Sequence, residues 1–273
     1  MDKLNISVTR TIDSGVRPIE LKCTPIYDCL FSNVAGLRSR ALVNSVDYGT
    51  LDPGDYMPAL EDDRESASSF TARNLRVVLG ALPALQSQAR GISLFLLSCP
   101  VSLVRRGTLA AEVTRLLRAA DPKCAEAVCL SFAPELLRLP PKDLQSALLH
   151  IRSLGCKVAV EGFGRADFPM SVLPLAAPDL LLLERDRKGD FPAGMAAYVQ
   201  FAGALDIQTL AVGVPAETVL RGLNGAQCAV LYPGPGPADG GPEPVYGKRT
   251  DRPFIGKERG IPCRFQLNSP GPC

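Results

Sequence analysis

Short apolar runs alternate along this chain with longer segments whose apolar residues recur at helical spacing. Ile19 to Tyr27 alternates apolar and polar residues, the period of a half-buried strand. Asn33 to Val43 reads as its hairpin or neighbouring partner, with Gly36 permitting close packing. Residues 1 to about 19 are polar and read as one extra strand or a flexible lead. Gly49 to Gly54 carries turn chemistry, and Tyr56 to Asp63 reads as a short acidic helix or loop. Phe70, Leu75, Val78, Leu79 and Leu82 fall on one helical stripe, and Pro83 is expected to kink or interrupt it. Ile92 to Leu97 is a buried strand. Thr108 is placed to cap a helix over Leu109 to Ala119, which Asp121-Pro122 should stop. Ala127 to Phe132 is another strand, and Pro141 suits the first turn of a helix that reaches Leu154.

The stretch from Gly155 to Asp186 organises the rest. Gly155 to Glu161 is a buried strand that runs into the turn Gly162-Phe163-Gly164. Pro178 to Glu184 is a second apolar run, and both runs end in a carboxylate. A helix follows over Met195 to Leu205, then a strand over Thr209 to Val214, a short helix over Ala216 to Leu223 and a last strand over Cys228 to Tyr232. Eight strand candidates with helices between most of them predict an α/β, TIM-like (β/α)8 barrel. The first two strands are joined too briefly for a parallel crossover, so the barrel opens in a non-standard way. Parallel α/β folds place their chemistry at the carboxyl ends of strands, where Glu161 and Glu184 fall. From Pro233 the composition turns to Pro and Gly, then to a basic stretch with little to bury. The chain thus divides into an N-terminal extension (1–19), a barrel (20–235) and a partly disordered tail (236–273).

Composition narrows this picture modestly. At 273 residues and 46 % hydrophobic the chain can fill a barrel core, while a formal net charge of +2 marks no particular partner. No run of about 18 uncharged apolar residues predicts a membrane span, and Met1 to Asn5 lacks the apolar core of a signal peptide. The reading is cytoplasmic. The nine cysteines form no CxxC pair, and the single histidine, His150, lies mid-helix; buried free thiols fit this pattern and a zinc site does not. Lys248-Arg249 in the tail is interleaved with acids and lacks stacking aromatics, so nucleic-acid binding is not expected.

The order and spacing of the short signals resemble the bacterial EAL domain, a barrel phosphodiesterase that linearises cyclic di-GMP with two divalent metals. The resemblance spans about residues 20 to 235. Thr24-Pro25-Ile26 is similar to the family's Gln-Pro-Ile, and Arg40-Ala41-Leu42-Val43-Asn44 falls where Glu-Ala-Leu-Leu-Arg stands, followed at family spacing by Gly49, Pro53, Tyr56 and Glu61. Leu154-Gly155 through Glu161-Gly162-Phe163-Gly164 takes the place of Leu-Gly to Asp-Asp-Phe-Gly. Asp179 to Glu184 resembles Asp-x-x-Lys-x-Asp, and Ala211 to Pro215 resembles Ala-Glu-Gly-Val-Glu.

That resemblance implies a pocket whose residues have changed. Arg40 stands for the first metal-ligand glutamate, Leu96 for the asparagine ligand, and Ser131 for the next glutamate. Glu161-Gly162 replaces the aspartate pair, Glu184 closes the following strand, and Leu182 replaces the lysine beside the attacking water. Val212 replaces a later glutamate, and Asn44 the phosphate-facing arginine. In-line hydrolysis by two metals needs several hard oxygen ligands, so neither catalytic residues nor metal cofactors are expected. Arg40 is expected to pair with Glu161 or Glu184, because isolated buried charges are costly. Glu61 and Glu135 read as surface or capping carboxylates.

Three function classes follow. The first is a catalytically inactive EAL-like domain acting as a regulatory or protein-interaction module, whose partner is another, unidentified protein. The second is a sensor that binds cyclic di-GMP without hydrolysing it. The third is residual phosphodiesterase activity, or acid–base chemistry by Glu161 and Glu184. The resemblance also allows a homodimer formed through the barrel.

Overall fold

The structure, a computed structural model, describes residues 3–14, 19–28, 34–45, 47–88, 92–184, 195–212 and 229–232. Two long strands start the barrel, β1 (Ile19–Asp28) and β2 (Val34–Ser45), paired antiparallel from Ile19↔Val43 to Tyr27↔Val34. The remaining barrel strands follow in chain order: β4 (Leu94–Cys99), β5 (Val128–Phe132), β6 (Lys157–Phe163), β7 (Leu180–Leu183), β8 (Gln208–Val212) and β9 (Ala229–Tyr232). Each lies parallel to the one before it, β4 lies parallel to β2, and β9 returns antiparallel to β1 through Tyr27↔Leu231. The sheet is therefore a closed ring of eight strands with one reversed member, as the short link between the first two strands requires. A ninth strand, β3 (Gly49–Leu51), hooks onto the end of β2 outside the ring.

Gly36 shows why closure needs this sequence. It faces Leu94 where β2 meets β4, and a Cβ there would sit 2.3 Å from the Leu94 carbonyl oxygen. Any side chain at this position would force the two backbones apart.

The helices form the outer layer: α1 (Lys3–Ser14), α2 (Pro53–Asp62), α3 (Arg64–Gln88), α4 (Ala111–Ala119), α5 (Pro122–Ala127), α6 (Pro141–Ser153), α7 (Leu173–Ala176) and α8 (Met195–Ala204). Two cores result. A large one lies between helices and sheet, and a small one fills the ring from inside with Ile26, Leu96, Cys129, Ala159, Leu180, Leu182 and Leu210. Cys129 and Ala159 are small among leucines, which lets the inward side chains interdigitate.

Three expectations change. Residues 3–14 are a helix, not a strand or a loose lead. Val8 and Ile12 are buried, the Ser7 hydroxyl donates to Asp47 Oδ2 at 2.6 Å, and Arg73 donates to the Ile12 carbonyl at 2.9 Å. Helix α3 runs on past Pro83 to Gln88. Pro83 lies on the exposed stripe that includes Arg76, Gly80 and Ser87, so the carbonyl it cannot bond faces water. Thr108 does not cap α4; the cap position is Ala110, and Arg64 draws Thr108 aside by donating to its carbonyl at 2.8 Å. The stop expected at Asp121-Pro122 holds, with α4 ending at Ala119, and the Asp121 carboxylate then accepts from the Lys123 N–H at 2.8 Å to cap α5. The helix expected over 216–223 and the tail from 236 lie outside the described residues.

Candidate functional site at the barrel mouth

Glu161 sits where β6 leaves its regular pairing. Val160 opposes Leu181 and Phe163 opposes Leu183, so Glu161 and Gly162 together face the single residue Leu182. This β-bulge re-aims the strand end, as bulges beside functional sites often do. It needs glycine: Gly162 has φ +74°, and a Cβ there would lie 3.0 Å from Pro134 Cγ. The turn is closed by the Arg165 N–H donating to the Gly162 carbonyl at 3.1 Å.

Three neighbouring strands converge on the Glu161 carboxylate. Oε1 accepts from Ser131 Oγ on β5 at 2.8 Å, from Ser98 Oγ on β4 at 3.0 Å and from Arg38 Nη2 on β2 at 3.4 Å. Ser98 and Ser131 are direct partners across β4 and β5, which is why both hydroxyls reach one oxygen. The ion pair is largely shielded, with the Arg38 and Glu161 side chains 18 % and 22 % exposed. Glu184, just beyond β7, adds a second carboxyl. Burial first, and then the neighbouring Glu161 carboxylate, push it up from 4.5 to about 7, against the opposing pull of Arg38 and Arg165.

The expected partner of this carboxylate was the wrong arginine. Arg40 is half-exposed and pairs with Asp52 at 2.9 Å. It lies beyond the stretch of β2 that pairs with β4, Gly36 to Ser39, and β3 and α2 bring Asp52 to it there. Asn44 is further out on the same strand, where its Oδ1 accepts from Thr50 Oγ1 at 2.8 Å. Neither residue joins the mouth cluster. Leu96 and Leu182 are fully buried in the inner core, with Val212 packed against it, and Ser131 is buried under Glu161. Of the expected pocket residues, the structure therefore brings Ser131, Glu161, Gly162 and Glu184 into one cluster. It places Leu96, Leu182 and Val212 at the cluster's floor or in the core.

Sequence reading missed Arg38 and Ser98. Both carried a signal, since each lies two residues from a named position, Arg40 or Leu96, on the same strand and therefore on the same face. Glu61 caps as expected, accepting from the N–H groups of Val101 at 2.6 Å and Ser102 at 2.9 Å, and Glu135 is exposed beside Arg138. Cys99, Cys124, Cys129 and Cys156 are free thiols that burial raises, Cys156 to about 12, which disfavours the reactive thiolate.

Two divalent cations at this mouth would need several ionised oxygen ligands. Glu161 Oε1 already receives three donors, one of them a guanidinium, and Glu184 is biased toward its neutral form. Among the described residues, no group of three or more His, Cys, Asp or Glu is placed to hold a metal. The donor set at the mouth does not fit a metal pair.

The family profile of the EAL domain matches residues 15–231. The chain belongs to the EAL domain family. Solved EAL structures share its fold at low sequence identity. The PaMucR phosphodiesterase in a cyclic di-GMP complex superposes with TM-score 0.68 at 15 % identity, over 85 % of this chain and 95 % of that one. An EAL domain protein from Listeria monocytogenes gives 0.65 at 16 % identity, over 86 % and 92 %. The Vibrio cholerae LapD S helix-GGDEF-EAL chain bound to c-di-GMP gives 0.67 at 13 % identity, over 85 % of this chain and 56 % of that one. This EAL domain thus spans little more than half of the LapD chain. No curated protein sequence matches it. No helix among the described residues is long and apolar enough to cross a membrane.

Proposed function

We propose that this EAL domain is catalytically inactive and works as a regulatory or protein-interaction module in the cytoplasm. The observation that carries the reading is the Arg38–Glu161 pair, held by Ser98 and Ser131. A fixed internal cation stands beside the one carboxylate that a metal would need most. At ~4 Å and an effective dielectric of about 20, a second positive charge is repelled by roughly 4 kcal/mol, about a thousandfold in affinity. Leu96 and Leu182 beneath it supply no oxygen ligand and no proton. Arg40, Asn44 and Val212 are read as former site positions that carry no catalytic role. Exposed apolar side chains elsewhere support a protein partner: Leu149 on α6 is 67 % exposed and Leu175 on the adjoining α7 is 45 % exposed. A homodimer is one form such a partner takes. Phosphodiesterase assay with cyclic di-GMP and Mg²⁺ or Mn²⁺ tests the central point, and linear dinucleotide formed in turnover amounts would refute it.

A second reading, a sensor that binds cyclic di-GMP without cleaving it, is favoured by one feature. Arg38 is part-exposed at the mouth and donates to Glu161 at 3.4 Å, a long contact for which a phosphate oxygen can compete. Two of the similar structures carry cyclic di-GMP. Calorimetric titration with the dinucleotide separates the readings: saturable heat that disappears in Arg38→Ala supports the sensor, and no heat supports the scaffold.

A further inference from the structure

A groove of about 590 Å³ lies outside the barrel ring, between α4 and α6. Ala111, Thr114, Arg115, Arg118 and Ala119 line it from α4, and His150 lines it from α6. The α4 residues recur at helical spacing, so one face of a single helix forms most of the wall. Alanine at both ends keeps that wall low, and the two arginines rise between.

The groove's polar groups are donors. A guanidinium only donates. His150 accepts the Leu109 N–H at its Nδ1, at 3.4 Å, which leaves the ring proton on Nε2. Thr114 is 8 % exposed, and its hydroxyl has no hydrogen-bond partner among the described residues. A buried hydroxyl without a partner is unfavourable, and an acceptor brought into the groove relieves it once the side chain turns. Arg115 and Arg118 are exposed, lie three residues apart, and make no ion pair among the described residues. Like charges at that spacing repel, so an anion between them is stabilised by both. The nearest acid on the helix, Glu112, is already engaged by Arg76 of α3.

We propose that this groove is a binding site for a phosphate-type dianion, held by Arg115, Arg118, Thr114 and His150. A phosphate presents acceptor oxygens in several directions and carries the charge to match two guanidinia. Its source is either free inorganic phosphate or the phosphoryl group of a mononucleotide. The site is independent of the barrel mouth and of whether the domain hydrolyses anything.

The test is calorimetric titration of the full chain with inorganic phosphate and, separately, with adenosine 5′-monophosphate, at constant ionic strength held with chloride. Saturable binding is expected. Arg115→Gln or Arg118→Gln should each weaken it roughly tenfold, and the nearly isosteric Thr114→Val about threefold to tenfold. Thermal unfolding of each variant checks that it is folded. Arg38→Gln, which alters only the mouth, should leave the affinity unchanged. Equal affinity for the two ligands identifies the free anion, and tighter binding of the nucleotide identifies a nucleotide phosphate. Absence of saturable heat, binding indifferent to both groove arginines, or binding lost in Arg38→Gln would each overturn the proposal.

Discussion

Two consecutive layers of one barrel differ completely in chemistry. The inner layer, Ile26, Leu96, Cys129, Ala159, Leu180, Leu182 and Leu210, is sealed and apolar. The layer above it, Arg38, Ser98, Ser131, Glu161 and Glu184, is a charge network to which β2, β4, β5, β6 and the residue after β7 each supply a polar group. The two are joined by alternation alone: Leu96 and Ser98 are successive inward positions on β4, as are Cys129 and Ser131 on β5. The contrast teaches how a barrel mouth stays folded with few ligands for a metal. The apolar layer supplies the packing, and the Arg38 guanidinium supplies a positive charge that pairs with a shielded carboxylate.

The comparison can be broken first from below. Leu182→Ala opens a cavity in the sealed layer and is expected to cost about 2–5 kcal/mol, measured by denaturant unfolding. A cost under about 1 kcal/mol would show that the inner layer is loosely packed.

Changing the network has a smaller effect. Glu161→Ala removes the acceptor shared by Arg38, Ser98 and Ser131 and is expected to cost about 2–3 kcal/mol, less than a fully buried pair because both charged side chains retain some exposure. Glu184 adds a pH signature. Its folded value, about 7, lies above its ordinary 4.5, so the folded state binds the extra proton across that window. Stability contributed by this group is therefore fully present below about pH 4.5 and falls as pH rises toward 7. Relative to Glu184→Gln, the wild type should lose melting temperature across this window and then run parallel to it. A constant difference at every pH would remove Glu184 from the network.

The smallest effect is expected two residues from Arg38. Arg40→Ala removes an exposed pair with Asp52 and should change stability by no more than about 1 kcal/mol. An Arg40 effect as large as that of Glu161→Ala would contradict the assignment of the two arginines.

Those arginines also mark how far the sequence was readable. The barrel was legible, because period-2 runs, the helical stripe through Phe70 and Leu82, Pro141 at a helix start and Gly36 at a tight strand contact are local signals. The bulge was legible in part, since Glu161 and the glycines around it were singled out together. Which arginine meets Glu161 was not. Family spacing points to Arg40, but the choice depends on where β2 parts from β4 and on Asp52 arriving from the next helix, both tertiary facts. Helix α1 was hidden for a similar reason. Its polar sequence becomes a buried face only when Val8 and Ile12 find the barrel wall. Ser98 was overlooked because a serine after an apolar run looks like a strand ending until Glu161 is placed beside it.

The most direct test of the central claim is a turnover assay of the purified chain with cyclic di-GMP and saturating Mg²⁺ or Mn²⁺, with linear dinucleotide resolved chromatographically. The account predicts no product above the level of a Glu161→Ala control. Multiple turnovers that vanish in that control would contradict it.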